Sequence, residues 1–260
     1  MDLPTTLAGF AVGIIVGLTG VGGGALMTPI LVLLFGSAPA TAIGTDLWFS
    51  AVTKTVGGVA HHRQGTVDWQ VFWRMSAGSI PAAIVTLVWM SRSHVVQHNP
   101  GLLVHALGAV LLAAAAAMLL RGRIRSFSLR MSATSDRMVT LLQPPLTVLA
   151  GVILGAVVTL TSVGAGALGA AMLVYLHPTR LNSSRLAGTD MAYGVPLALV
   201  AGSGHLALGD VQWTLLASLL LGSVPGVIVG AIACSRTPEA LLRTAVTVIL
   251  FGISLRLMMS

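Results

Sequence analysis

The sequence predicts an all-α polytopic membrane protein made of two homologous repeats, each with an interrupted first helix. Three observations lead to this prediction. The chain is 55% hydrophobic and only 8% charged, apolar stretches of about 20 residues recur along it, and one glycine-rich pattern occurs twice. About a quarter of the residues in a soluble domain are charged, so a soluble globule is excluded. The single cysteine, Cys234, excludes an internal disulfide.

The apolar segments follow the same order in both halves. They are 3–35, 41–60, 69–90 and 101–120 in the first half, and 146–176, 183–205, 212–233 and 238–258 in the second. Each is expected to be helical, because a backbone in lipid must satisfy its own hydrogen bonds. We divide the chain into a first transmembrane repeat at 1–120, a basic connector at 121–142 and a second transmembrane repeat at 143–260.

The repeat is visible residue by residue. The run LAGFAVGIIVGLTGVGGGAL starts at Leu7 and returns as LAGVILGAVVTLTSVGAGAL at Leu149, and the triplet Gly-Thr-Asp at 44–46 recurs at 188–190. Two related apolar units with glycines at matching places are typical of secondary transporters.

The net charge of +7 indicates orientation in the membrane, and no nucleic-acid partner is expected. Five arginines crowd the connector, which places it in the cytoplasm. If each glycine-rich segment turns back as a re-entrant hairpin, the two repeats are inverted, and if it passes straight through, they are parallel. The hairpin arrangement keeps four second-half arginines inside and therefore favours inversion: Arg180, Arg185, Arg236 and Arg243.

Glycine clusters interrupt the first segment of each repeat. Each glycine destabilises a helix interior by about 1 kcal/mol relative to alanine, so a break is expected, with new helices beginning near Ala25 and Ala167. Helix N-termini attract anions. The alternative is that the glycines only permit close helix packing. The candidate substrate-binding residues at the breaks are Thr19, Gly20, Gly22, Gly23, Gly24, Thr161, Ser162, Gly164 and Gly166.

The two Gly-Thr-Asp triplets supply further candidates. Carboxylates inside a membrane are costly and usually functional, so Asp46 and Asp190 are candidates for proton coupling. The alternative is a structural role at a helix N-terminus. The neighbouring Thr45 and Thr189 are the candidates for holding an anionic oxygen.

Lys54 is the only lysine, and it lies inside an apolar segment. It needs an ion partner such as Asp46, an anion in a cavity, or a path to the membrane interface. No metal or cofactor is expected. Gly164 to Gly169 spell G-x-G-x-x-G, but the strand that a dinucleotide site requires before it is missing.

These residues resemble the TauE/SafE-type sulfite exporters of the toluenesulfonate uptake permease superfamily. The matching features are the glycine-rich break at 20–25, the triplet at 44–46, the turn at 65–69 and the segment at 78–81, all echoed in the second half. The resemblance implies a multi-pass carrier of the bacterial cytoplasmic membrane that moves a small sulfur-containing anion without ATP.

The expected function is therefore export of sulfite or an organosulfonate such as sulfoacetate by alternating access. Ion-coupled uptake of sulfate, thiosulfate or a sulfonate is the alternative within transport. A membrane receptor or assembly subunit that binds a sulfur compound without moving it is the alternative outside transport. An intramembrane enzyme is not expected, because no G-x-S-x-G nucleophile elbow is present. Association into a homo-oligomer stays open.

Overall fold

The computed structural model describes residues 3–19, 24–93, 100–134, 136–234 and 239–259. Within these ranges the chain forms ten α-helices. They are α1 (Leu3–Thr19), α2 (Gly24–Leu33), α3 (Pro39–Arg63), α4 (Trp69–Arg92), α5 (Pro100–Thr134), α6 (Asp136–Thr161), α7 (Ala167–Leu176), α8 (Ser183–Ala207), α9 (Trp213–Cys234) and α10 (Glu239–Met259).

Several of these helices can cross a bilayer. In the described ranges, four stretches are long and apolar enough to do so: Trp69–Arg92, Gly101–Leu129, Leu142–Thr161 and Trp213–Gly230. Helices α3 and α8 have 25 residues each, which is about 37 Å of helix at 1.5 Å per residue. Both carry buried polar residues, including Asp46 and Asp190.

Two buried apolar clusters meet at α3. The first is built mainly from α1, α2, α5, α9 and α10, and the second mainly from α4, α6, α7 and α8. Helix α3 contributes Phe49 to the first cluster and Leu47 to the second. Helix α3 therefore lies between the two clusters and packs against both of them.

Glycines bring helices from opposite halves of the chain into backbone contact. The contacts are Gly9 with Leu219 and Gly13 with Ser223 between α1 and α9, and Gly151 with Met75 and Gly155 with Ser79 between α6 and α4. A Cβ at Gly13 would come within 2.8 Å of Ser223 Cα, and one at Gly155 within 2.8 Å of Ser79 Cα. These glycines serve close helix packing, whereas those at the break between α6 and α7 end a helix.

An ion pair joins the loop before α4 to the loop after α7. Asp68 caps α4 by accepting the Val71 N–H at 3.2 Å, and Arg180 donates to both carboxylate oxygens at 2.5 and 2.9 Å. Burial disfavours the charged form of Asp68, but the hydrogen bonds from Arg180 and Val71 favour it and outweigh the effect of burial. The pKa of Asp68 is therefore lowered. Burial, and then the charge of nearby Arg180, lowers the pKa of His177 to about 4. His177 is therefore neutral at pH 7 and does not repel Arg180.

Replacing Asp68 with asparagine is expected to destabilise the fold by about 1 to 2 kcal/mol. Asparagine also caps helices well, so the substitution keeps the cap and weakens only the charge-assisted bonds to Arg180. Such bonds contribute roughly 1.5–3 kcal/mol, and the lower end applies because the Arg180 side chain is 40% exposed.

The sign of the pH dependence follows from the lowered pKa of Asp68. The ion pair stabilises the fold above the ordinary carboxyl pKa of about 4, and this contribution is lost as the pH falls through the lowered value. Thermal unfolding at several pH values would test this for the wild type, Asp68→Asn and the exposed control Arg185→Gln. A difference between the first two proteins that did not shrink in acid would contradict the prediction.

The basic connector at 121–142 is helical where the structure describes it. Residues 121–134 continue α5, and α6 begins at Asp136. The cytoplasmic location of this connector stays a prediction.

Candidate functional site

The helix break in the second half lies where the sequence predicts it. Helix α6 ends at Thr161 and α7 begins at Ala167. Between them, Ser162 and Gly164 have positive φ values of 57° and 121°, a region that disfavours residues with a Cβ. The Thr161 hydroxyl closes the end of α6, donating to the Val157 carbonyl at 2.7 Å and accepting the Val163 N–H at 3.2 Å.

The start of α7 carries unpaired backbone donors. The first backbone bonds run from the Gly169 N–H to the Gly164 carbonyl at 2.9 Å and from the Ala170 N–H to the Gly166 carbonyl at 3.0 Å. Among the described residues, no acceptor meets the four preceding N–H groups, those of Ala165, Gly166, Ala167 and Leu168. A helix start with free donors has a positive partial charge and favours an anion.

A small cavity opens at this helix start. It is lined by the polar residues Ser50, Lys54 and Ser162. The rest of its lining is apolar or glycine: Leu47, Val158, Gly164, Ala165, Gly166, Gly194 and Ala198. It has room for roughly one water molecule. The Ser162 hydroxyl is buried and completes no hydrogen bond in the described structure. The break, its glycines and the lysine thus share one cavity.

Lys54 reaches the cavity from α3 and is only 5% exposed. Its ammonium lies against α8, because a Cβ at Gly194 would come within 2.6 Å of Lys54 Nζ. Within the described ranges, neither carboxylate lies within the 4.0 Å of an ion pair with Lys54. Asp190 attracts the Lys54 ammonium more strongly than Asp46 does. The snorkelling alternative does not fit this burial, and the sequence did not reveal that Asp190 influences Lys54 more than Asp46 does.

The two carboxylates lie near different hydroxyl groups. Thr28 on α2 donates to Asp46 Oδ2 at 2.5 Å. Asp190 Oδ1 and the Tyr193 hydroxyl both crowd Gly169, where a Cβ would come within 2.8 Å of the carboxylate oxygen. Both Asp46 Oδ1 and Asp190 Oδ1 are buried without a hydrogen bond among the described residues.

Thr45 and Thr189 lie away from the cavity lining. The Thr45 hydroxyl accepts the Gln212 N–H at 3.2 Å, and the Thr189 hydroxyl accepts the Asp68 N–H at 2.9 Å. They tie α3 and α8 to the loops that precede α9 and α4. These contacts use the hydroxyl oxygens as acceptors, and the role of both threonines in holding an anionic oxygen stays a prediction.

The first-half break is only partly visible. Helix α1 ends at Thr19 and α2 begins at Gly24, which agrees with an interruption there. Gly20, Gly22 and Gly23 lie outside the described residues, as do the Thr19 side chain and the surroundings of Gly24. Their role in substrate binding stays a prediction.

Three contacts near the site were missed from the sequence. Tyr193 could have been found, because it lies three residues after Asp190 and so shares its helix face. Thr28 gave only the weak signal of a hydroxyl in an apolar helix. His205 gave no signal that it would be fully buried with its Nε2 at 2.9 Å from the Thr159 carbonyl.

Comparison with known proteins identifies the family. A family model described as "Sulfite exporter TauE/SafE" matches residues 5–257. The chain belongs to the TauE/SafE family. It is 37% identical over 238 residues to "Probable membrane transporter protein YjnA" of Bacillus subtilis (strain 168), covering 89% of each chain. It is 29% identical over 237 residues to "Probable membrane transporter protein YdhB" of the same organism, covering 91% of this chain and 92% of the relative. No solved structure gives a significant match.

This TauE/SafE member is therefore a multi-pass protein of the bacterial cell membrane and a membrane transporter. The relatives are named as transporters and not as enzymes.

Proposed function

We propose that this TauE/SafE member is a secondary transporter that exports a small sulfur-containing oxyanion, such as sulfite or an organosulfonate, by alternating access. The observation that carries the proposal is the cavity at the start of α7, where Lys54 and the unpartnered Ser162 hydroxyl meet free backbone N–H groups. An ammonium, a hydroxyl and backbone amides are the donors that bind an oxyanion.

Each donor has a distinct role in this proposal. Lys54 supplies the full positive charge, the N–H groups of Gly166 and Ala167 supply directed donors, and Ser162 supplies a hydroxyl. The cavity has room for roughly one water molecule, so it must widen before an oxyanion enters. This need for widening fits a carrier that closes over its site between two open states.

Inverted repeats would provide the two states. Two sets of equivalent contacts support this part of the proposal. The glycine contacts of α1 with α9 are repeated by those of α6 with α4, and the bond from Gln212 to Thr45 is repeated by the bond from Asp68 to Thr189. In an inverted pair, equivalent contacts lie at opposite membrane faces, so that one set can open while the other stays closed.

Export is energetically reasonable. An anion made inside the cell leaves down its concentration gradient without ATP. If the anion moves as a net charge, an interior-negative potential adds about 2.3 kcal/mol per 100 mV in the same direction. Proton-coupled uptake is the second candidate, and the buried carboxylates of Asp46 and Asp190 are the observation that favours it.

A counterflow experiment tests the function. Purified protein in liposomes preloaded with unlabelled anion should accumulate the same labelled anion, with sulfite, thiosulfate, sulfoacetate, methanesulfonate, taurine and acetate compared. We expect counterflow for at least one sulfur oxyanion and none for acetate. Saturable binding without counterflow would favour a receptor and reject transport. Net flux under imposed potentials and pH gradients of each sign would then separate export from coupled uptake.

A further inference from the structure

The two aspartates at the site differ in their surroundings, although they occupy equivalent places in the repeated sequence. We propose that Asp190 is the permanent counter-ion of Lys54, whereas Asp46 takes up one proton when an anion binds and passes the effect to the anion through Ser162. This inference rests on the proposed transport function and assigns separate roles to two carboxylates that the sequence treats alike.

The position of Lys54 pairs it with Asp190. Its ammonium lies against Gly194, which is one helical turn after Asp190 on α8. The attraction of Lys54 to Asp190 exceeds its attraction to Asp46. Asp46 lies eight residues before Lys54 on the same helix, a rise of about 12 Å. Lys54 and Asp190 therefore compensate each other and leave Asp46 as the carboxylate without a cation of its own.

The environment of Asp46 suits a group that gains and loses a proton. Its Oδ2 is held by the Thr28 hydroxyl at 2.5 Å, while its Oδ1 has no hydrogen bond among the described residues. The Ser162 hydroxyl interacts with this carboxylate, but the two oxygens are not close enough for a completed hydrogen bond, so Ser162 Oγ also has no hydrogen-bond partner among the described residues. One proton on Asp46 Oδ1 would satisfy both atoms, because the acid would donate to Ser162 Oγ.

Ser162 then couples the proton to the anion. When Asp46 is ionised, the only hydrogen of the Ser162 hydroxyl is drawn toward the carboxylate. When Asp46 is protonated, Ser162 Oγ accepts from the acid, and its own hydrogen is free to point into the cavity that Ser162 lines. An oxyanion in the cavity therefore gains a donor only in the protonated state.

Charge balance gives the same stoichiometry. The empty site contains Lys54 and two carboxylates, and it has one excess negative charge when both carboxylates are ionised. Adding a monoanion would double this excess, and uncompensated buried charge is strongly unfavourable. One proton on Asp46 restores the charge of the empty site.

The other groups around the carboxylates leave this assignment unchanged. Asp46 faces Lys54 on α3, Thr28 on α2 and Ser162 in the break. Asp190 is influenced by Lys54 on α3, Tyr193 on α8 and Arg121 on α5. Both cations act on Asp190, whereas Lys54 is the only cation that acts on Asp46 among the described groups.

Proton uptake on anion binding tests the proposal directly. Detergent-solubilised protein in weak buffer would be titrated with methanesulfonate and with thiosulfate, neither of which titrates near neutral pH. We expect the wild type to take up about one proton per bound methanesulfonate, which is a monoanion, and no less than one per bound thiosulfate, which carries two negative charges. Affinity should therefore fall toward tenfold per pH unit above the titration of the group. Wild-type protein that bound either anion without proton uptake would overturn the proposal and leave the transport function intact. If no sulfur oxyanion, these two included, bound to the protein or showed counterflow, the proposed transport function itself would be rejected.

Matched variants assign the proton to one residue. Asp46→Asn should still bind anion and show counterflow, because the neutral amide resembles the protonated acid, but its proton uptake should vanish. Asp190→Asn should keep about one proton per anion and bind more tightly, since Lys54 loses its competing partner. Arg185→Gln, which removes an exposed charge near the start of α8, is the control and should behave as wild type. Proton uptake that persisted in Asp46→Asn, or vanished in Asp190→Asn alone, would reject the assignment.

Discussion

Replacing Lys54 with methionine is expected to reduce anion flux by at least about a hundredfold. Methionine keeps the length of the side chain against Gly194 and removes only the charge. Truncating one partner of a buried charge pair in a binding site costs about 2–5 kcal/mol of binding free energy, and each 1.4 kcal/mol is about tenfold in affinity, so a loss in the middle of this range exceeds a hundredfold. The remaining donors, the helix N-terminus and Ser162, cannot replace a full charge.

A loss of flux could also come from misfolding, because Lys54→Met leaves Asp190 buried without its cation. The double variant Lys54→Met with Asp190→Asn removes both charges together and should regain thermal stability without regaining flux. Arg63→Gln removes an exposed charge from the end of the same helix and should leave flux unchanged. Labelled-anion counterflow and thermal unfolding would be measured for all four proteins. Wild-type flux in Lys54→Met would remove this residue from the mechanism.

The fold could be predicted from the sequence because hydrophobic runs and glycines act locally. Three of the predicted segments lie inside helices: 41–60 inside α3, 69–90 inside α4 and 183–205 inside α8. The segment 212–233 begins one residue before α9. The fourth segment, 101–120, was too short, since α5 continues to Thr134 through the arginine-rich stretch. Arginine is a good helix former, so the polar residues there do not end the helix.

The candidate site could be predicted only where one segment contains the signal. Ser162, Gly164 and Gly166 lie within a single glycine-rich stretch, and Lys54 is conspicuous as a lysine in an apolar helix, so all four were found. The contacts of Lys54 with Gly194 and of Asp46 with Thr28 depend on packing between separate helices. The contact of Thr45 could not be predicted for the same reason, because its partner Gln212 lies in the other half of the chain.

Replacing Gly222 or Gly78 with alanine is expected to destabilise the protein by about 1–3 kcal/mol or more. Gly222 of α9 lies against the Thr6 carbonyl of α1, and Gly78 of α4 lies against the Val148 carbonyl of α6. An added Cβ would overlap backbone atoms at both positions, and overpacking a tight core typically costs that much. The backbone cannot yield as a flexible side chain can, so the two helices must separate.

The control for these variants has the opposite expected sign. A Cβ at Gly252 of α10 would meet nothing within 4 Å, and alanine is a better helix former than glycine by about 1 kcal/mol. Gly252→Ala should therefore leave the melting temperature unchanged or raise it, while Gly222→Ala and Gly78→Ala lower it. Thermal unfolding in lipid nanodiscs would measure all three. Equal melting temperatures would mean that the two helix pairs do not depend on backbone contact. Unequal losses at Gly222 and Gly78 would mean that the two equivalent helix pairs, α1 with α9 and α4 with α6, do not contribute equally to the packing.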